Sequence, residues 1–299
     1  MDLNADGYND VITGSYWPGD IYLFSGKAGG FAKGEFLKDA SGKNVNGGQP
    51  WKTKDDPDMD SLAAAPHAAD LDGDGDYDLL IGNFVGRVMF IENIGTKTAP
   101  KFSDQKRALQ AANGDLKVEG DAGPVAVDWN ADGRLDLIVG AGDGAVRYFQ
   151  NDGTPQAPKF AAGVDLLPAV KVDYEHPELE GTVPKSSGTR TKVCVTDYNG
   201  DGQLDLLVGD YASQSTPEPN LTPAQIAERD ALHAERDKLS DEMGKLYEGG
   251  AKPDEAATKQ LSDRMKEVFK KLEPLEAQHK PHGWVWLYLR KAATTASKD

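Results

Sequence analysis

Asp70-Leu71-Asp72-Gly73-Asp74-Gly75-Asp76-Tyr77-Asp78, followed at once by Leu79-Leu80-Ile81-Gly82, decides the reading of this chain. Carboxylates recur at every second position, so a curled backbone turns several of them toward one point. Glycine at the sixth position permits a bend that a Cβ would obstruct. The segment after Asp78 is short, aliphatic and closed by glycine, which reads as a buried strand. Working outward, the pattern Asp-x-Asp/Asn-x-Asp-Gly-x-x-Asp starts again at Asp2, Asp128 and Asp197, with spacings of 68, 58 and 69 residues. Those copies lead into Val11-Ile12-Thr13-Gly14, Leu137-Ile138-Val139-Gly140 and Leu206-Leu207-Val208-Gly209. Four in-frame copies describe a repeat protein and not four chance acidic turns.

The chemistry this spacing suits is a hard cation, Ca²⁺, which takes about six to eight oxygens. The expected ligands are Asp2, Asn4, Asp6, Tyr8 and Asp10 in the first loop and Asp70, Asp72, Asp74, Asp76 and Asp78 in the second. The third uses Asp128, Asn130, Asp132, Arg134 and Asp136, and the fourth Asp197, Asn199, Asp201, Gln203 and Asp205. Positions 1, 3 and 5 would bind through side chains. Tyr8, Asp76, Arg134 and Gln203 at position 7 share no side-chain chemistry, so a backbone carbonyl is expected there. The aspartate at position 9 is expected to close the shell with both oxygens. Position 2 (Leu3, Leu71, Trp129, Tyr198) should anchor each loop against a core, and position 4 (Ala5, Gly73, Ala131, Gly200) is always small. An EF-hand is excluded, because its twelfth position would be Glu and is here Thr13, Ile81, Val139 or Val208.

Past each strand glycine come a turn and an alternating segment, at residues 20–24, 87–91, 145–149 and 284–288. Repeats two and three share a further signature. Asn93-Ile94-Gly95-Thr96 leads to Ala99-Pro100-Lys101-Phe102, and Asn151-Asp152-Gly153-Thr154 to Ala157-Pro158-Lys159-Phe160. With a strand before the loop, such as Pro124-Val125-Ala126-Val127, each unit reads as four antiparallel strands, a propeller blade. The expected fold class is all-β, a four-repeat β-propeller carrying an inserted α-helical hairpin.

On these four loops the chain resembles the FG-GAP/VCBS-type repeat family, the calcium-loop propellers that include integrin α heads. The name-giving Phe-Gly to Gly-Ala-Pro element is reduced to fragments such as Ala122-Gly123-Pro124. The resemblance implies metal loops on one face, partners on the opposite face, an extracytoplasmic location and binding or adhesion without catalysis.

The fourth repeat departs from the pattern between Gly209 and Gly283. Thr222 with Gln225 makes a capping box and Pro223 takes the first helical position. Leu232, Leu239, Met243 and Leu246 mark one helical face, Gly249-Gly250 the turn, and Pro253 the opening of a second helix. Leu261, Met265, Val268, Leu272 and Leu275 then form a coiled-coil-like seam, disturbed by Pro274. The expected organisation is blades over residues 1–221, the hairpin over 222–281, and a final strand and tail over 282–299. Either the hairpin seams bury only each other, or the hairpin is an arm for partner binding.

Lys and Arg number 33 against 49 Asp and Glu, a formal charge of -16, which argues against nucleic acid. Fourteen of those carboxylates lie in the four loops, so four calcium ions would halve the net charge. No run of 18 apolar residues is present to span a membrane. Cys194, between two valines, reads as buried core. His67 is read as structural, and His233 and His279 as solvated on the hairpin; His176 and His282 complete the set. No catalytic constellation stands out. Tyr16, Trp17, Phe84 and Tyr211 in the strand 2–3 turns would either stack on sugars or fill protein pockets, or pack blade edges. The favoured function is therefore calcium-stabilised binding of a protein or glycan. The alternative is a calcium-dependent polysaccharide lyase, which needs a Lys, Arg, His or Tyr cluster in a groove. The first loop has no strand before it and the last repeat no outer strand, so an incomplete ring with associating faces is expected.

Overall fold

The computed structural model describes residues 1–48, 61–173, 178–247 and 254–291. The chain forms two compact units. The first takes Met1–Val172, Lys185–Ala212 and the segment from Gly283; the second takes Asp173–Pro184 and Ser213–His282.

The first unit holds four antiparallel sheets. Val11–Gly14 (β1) pairs Ile21–Phe24 (β2); a ribbon of Gly26–Lys27 (β3) and Gly30–Phe31 (β4) follows; Glu35–Phe36 (β5) completes the order β1-β2-β5. The second sheet runs Ala65–Ala69 (β6), Asp78–Gly82 (β7), Val88–Asn93 (β8) and Phe102–Ala108 (β9), in that order. After a ribbon of Gln110–Ala111 (β10) and Gly114–Asp115 (β11), the third sheet repeats it with Gly123–Val127 (β12), Asp136–Gly140 (β13), Val146–Phe149 (β14) and Val164–Leu167 (β15). In the fourth, Thr189–Thr196 (β16) pairs Asp205–Ser215 (β17). The helices Pro223–Tyr247 (α1) and Glu255–Leu272 (α2) and the strand His279–His282 (β18) intervene before Val285–Tyr288 (β19), which also pairs β17. The register is shared: Leu79 lies between Ala68 and Ile91, Leu137 between Ala126 and Phe149, and Leu206 between Val195 and Tyr288.

Successive sheets meet where the strand after each loop ends in glycine. A Cβ on Gly14 would lie 1.9 Å from Ala64 O, one on Gly82 2.0 Å from Ala122 O, and one on Gly140 2.3 Å from Thr191 O. Backbone bonds clasp the same places: Ala63 N to Tyr16 O (3.0 Å), Asp121 N to Phe84 O (2.9 Å) and Arg190 N to Gly142 O (3.0 Å). To make this turn, Ala63, Asp121 and Arg190 adopt left-handed φ values of 52°, 45° and 55°. Apolar cores fill each junction. Ile21, Leu79 and Ile81 lie in the first, Leu80, Leu137 and Val139 in the second, and Trp129, Ile138 and Val208 in the third.

Contacts run from β1 to β6, β6 to β12 and β12 to β16, and no such contact joins β16 to β1 among the described residues, so no ring closes. A Cβ on Gly209 would meet, among the described residues, nothing nearer than Lys192 O of its own sheet, 3.8 Å away. The far face of the fourth sheet is correspondingly open, with Val285 74% exposed beside exposed Leu287. Cys194 is exposed on this face, against its expected burial. It stands opposite Leu207, which pairs with Leu287, and among the described residues no further sheet covers that row.

In the second unit the capping box forms, Gln225 N donating to Thr222 Oγ1 (3.4 Å) and Thr222 N to Gln225 Oε1 (3.0 Å). Helix α2 is capped by Asp254. The expected turn Gly249-Gly250 and Pro253 lie outside the described residues. Leu232, Leu239, Val268, Leu272 and Leu275 make a buried core between the helices, and Pro274 sits in a short 3-10 turn that ends α2. The unit is larger than a hairpin over 222–281. It includes β18 and residues 173–184, joined through Ser215 N to Glu178 O (2.8 Å) and a Lys280–Glu180 ion pair (2.8 Å). His233 is not simply solvated, since its Nε2 meets Glu276 Oε1 at 2.7 Å, and His279 lies on β18. Among the described residues no helix is long and apolar enough to cross a membrane.

The glycines give an internal control. Gly82→Ala and Gly140→Ala should each destabilise the protein by about 2 kcal/mol or more through overpacking, whereas Gly209→Ala should stay within about 0.5 kcal/mol. Urea unfolding midpoints of the three variants decide it, and equal losses at all three sites would refute the stacking argument.

Candidate functional site

Each loop is held in its curl by the side chains expected to bind metal. The first aspartate accepts from the glycine at position 6: Gly7 N to Asp2 (2.9 Å), Gly75 N to Asp70 (3.1 Å), Gly133 N to Asp128 (2.8 Å) and Gly202 N to Asp197 (2.9 Å). Position 5 N–H groups donate to the position 3 side chain, and position 7 N–H groups to the position 5 carboxylate, in all four loops. Position 4 is small because its backbone is left-handed, with φ of 54° at Ala5 and 61° at Ala131, where bulky side chains are excluded.

Position 9 does something the spacing did not predict. Asp10, Asp78, Asp136 and Asp205, the expected bidentate ligands, are also buried clamps, each holding two backbone N–H groups. One comes from position 2 of the loop: Leu3, Leu71, Trp129 or Tyr198, at 2.8 to 3.2 Å. The other comes from beyond β2, β8, β14 or β19 or at its end: Gly26, Asn93, Asn151 or Arg290, at 2.7 to 2.9 Å. Asp136 also accepts from Tyr148 Oη (2.9 Å). A carboxylate removed from water needs such charge-assisted bonds. Asn93 and Asn151 in turn fold the shared signature. Their Oδ1 atoms accept from Gly95 and Lys101, and from Gly153 and Lys159.

The loops differ in their acceptors. In the first, third and fourth, the position 3 amide donates to the position 5 carboxylate: Asn4 to Asp6 (3.1 Å), Asn130 to Asp132 (2.8 Å) and Asn199 to Asp201 (3.0 Å). In the second, Asp72 has no hydrogen to give. Asp70, Asp72 and Asp74 bring one oxygen each within 4.8 Å of one another. Among the described residues Asp70 Oδ1 is buried without a hydrogen-bond partner, and Asp76, only 8% exposed, has the Asn93 amide beside its carboxylate. Burial and then the charge of Asp74 lift the Asp72 and Asp76 carboxyls above the usual range; burial raises Asp78 to about 7. Such a set is short of positive charge, and its oxygens suit a hard divalent cation.

Of the position 2 anchors, Leu3, Leu71 and Trp129 are buried, each in the core between its own sheet and the next. Tyr198 is 60% exposed, because among the described residues no next sheet stands beside the fourth. Tyr16, Trp17 and Tyr211 are exposed, whereas Phe84 is half-buried. His67 lies on β6 with its basicity lowered by burial, and His176 lies outside the described residues. One cluster had no signal in the sequence. The Arg190 guanidinium pairs with Asp121 and hydrogen-bonds Tyr16, and Lys192 Nζ donates to Asp121 O (2.7 Å). The left-handed turns of Asp121 and Arg190 create it.

The clamp and the loop should separate in mutants. Asp136→Ala, which strips three donors, should cost about 2–4 kcal/mol with or without chelator, while Asp132→Ala should cost about 1 kcal/mol or less without divalent ions. Denaturation curves for both test this, and a silent Asp136→Ala would remove the clamp.

No curated protein matches the chain. Residues 128–208, from the first aspartate of the third loop to the strand after the fourth, match the FG-GAP-like repeat family.

Proposed function

We propose that the chain is a calcium-stabilised module of β-propeller type that binds a protein or glycan outside the cytoplasm without catalysis. The observation that carries the metal reading is the second loop. Asp70, Asp72 and Asp74 converge there, with one Asp70 oxygen buried and unpartnered among the described residues and the Asp76 carboxylate buried beside them. Bound calcium would supply the positive charge these carboxylates lack and would hold the loop between β6 and β7. The match to the FG-GAP-like repeat over residues 128–208 supports the adhesion-type reading and the location. Exposed Tyr16, Trp17 and Tyr211, in the turns at the strand ends away from the loops, offer rings for a partner. The hairpin inserted in the fourth repeat is a second candidate for that role. Arg190, Lys192 and Tyr16 come together as the lyase alternative would require. They are engaged with Asp121 and one another, which favours a binder.

Calcium at millimolar concentration should raise the melting temperature by about 5 °C or more over chelator, with magnesium much less effective. An unchanged midpoint would overturn the structural role of calcium.

On glycan and protein arrays, the Tyr16→Ala, Trp17→Ala double variant should lose the wild-type signals while keeping its calcium-dependent melt. Retained signals would move binding away from these rings, and new ultraviolet absorbance from acidic polysaccharides would favour the lyase.

A further inference from the structure

We infer that the third loop carries its own counter-ion, the guanidinium of Arg134, so that calcium fills this loop last. The inference rests on the calcium reading of the loops. The first, third and fourth loops are an internal comparison, since each has Asp, Asn and Asp at positions 1, 3 and 5 and Asp at position 9. At position 7 they carry Tyr8, Arg134 and Gln203. Only the third therefore adds a positive charge within the loop.

That charge is aimed inward and tethered. Arg134 donates from its terminal nitrogen to Asp132 Oδ2, and its Nε donates to Asn151 O at 2.7 Å. The second bond lies outside the loop and holds the guanidinium against the acidic side chains. Asp132 thereby accepts three hydrogen bonds. Its Oδ2 also accepts from Asn130 (2.8 Å) and its Oδ1 from Arg134 N (3.0 Å). The corresponding Asp6 and Asp201 have the asparagine and backbone donors alone among the bonds described. A second guanidinium, Arg290, stacks 4.4 Å over Trp129 and donates to Trp129 O (2.5 Å), at position 2 of the same loop. A calcium ion entering the first or fourth loop has only an amide to displace. In the third it must break an ion pair and share the loop with a cation. Affinity in oxygen loops follows ligand charge. The second loop, with five aspartates, stands at the opposite extreme. The order of filling is then the second loop, the first and fourth, and last the third, whose curl the arginine already supports.

The backbone N–H groups of Gly7, Gly75, Gly133 and Gly202 each bond the first aspartate of their loop and report on it separately. In a calcium titration followed by amide NMR, the Gly133 midpoint of the wild type should lie about tenfold or more above those of Gly7 and Gly202. Arg134→Gln, which installs the residue of the fourth loop, should bring Gly133 down to them. Gln203→Arg should raise the Gly202 midpoint. If Gly133 titrates with Gly7 and Gly202 in the wild type and Arg134→Gln leaves it in place, the inference fails while the calcium reading stands. If none of the four glycines responds, the calcium reading fails and the inference falls with it.

Discussion

A buried carboxylate holds each repeat together. Asp10, Asp78, Asp136 and Asp205 are withdrawn from water at the start of a strand or beside it, and each is tolerable there only because backbone N–H groups converge on it. Those donors come from two places far apart in sequence, the second residue of the loop and the end of the third strand. One aspartate thus ties the loop to two strands of its sheet. The loop's curl is held by its own first, third and fifth side chains, which accept hydrogen bonds from backbone N–H groups inside it.

Lateral stacking rests on the absence of side chains. Gly14, Gly82 and Gly140 let the backbone of the next sheet approach to distances no Cβ permits. The left-handed residues Ala63, Asp121 and Arg190 then turn the chain into the clasp. Because the mode of contact is directional, its two sides are not interchangeable, and the last sheet shows the difference. Among the described residues Gly209 has no neighbouring sheet and Tyr198 no core to enter, and Val285 and Cys194 are exposed. The same local sequence pattern gives a buried anchor in three repeats and an exposed ring in the fourth.

The four loops are alike in backbone and unlike in charge. An asparagine at the third position quiets its neighbouring carboxylate by donating to it, and an arginine at the seventh goes further with a full charge. The second loop has neither device and keeps its aspartates in mutual repulsion, with a buried Asp70 oxygen left without a hydrogen among the described residues. Whatever these loops bind, the second is the one least satisfied alone.

Local pattern was enough for much of this. The spacing of oxygens around a glycine, the aliphatic strands closed by glycine, the capping box at Thr222 and the two helices all depend on neighbours a few residues apart, so the sequence could be read directly. Most candidate loop residues likewise fall together, since nine consecutive positions cannot be far apart. What folding decided lies in contacts between distant residues. Position 9 is a clamp because Asn151 and its counterparts return to it from fifteen or more residues away. Cys194 is exposed although its flanking valines mimic a core strand, and Arg190 meets Asp121 across 69 residues. Burial and ion pairing are properties of the space around a residue, and only the stacking of the sheets creates that space.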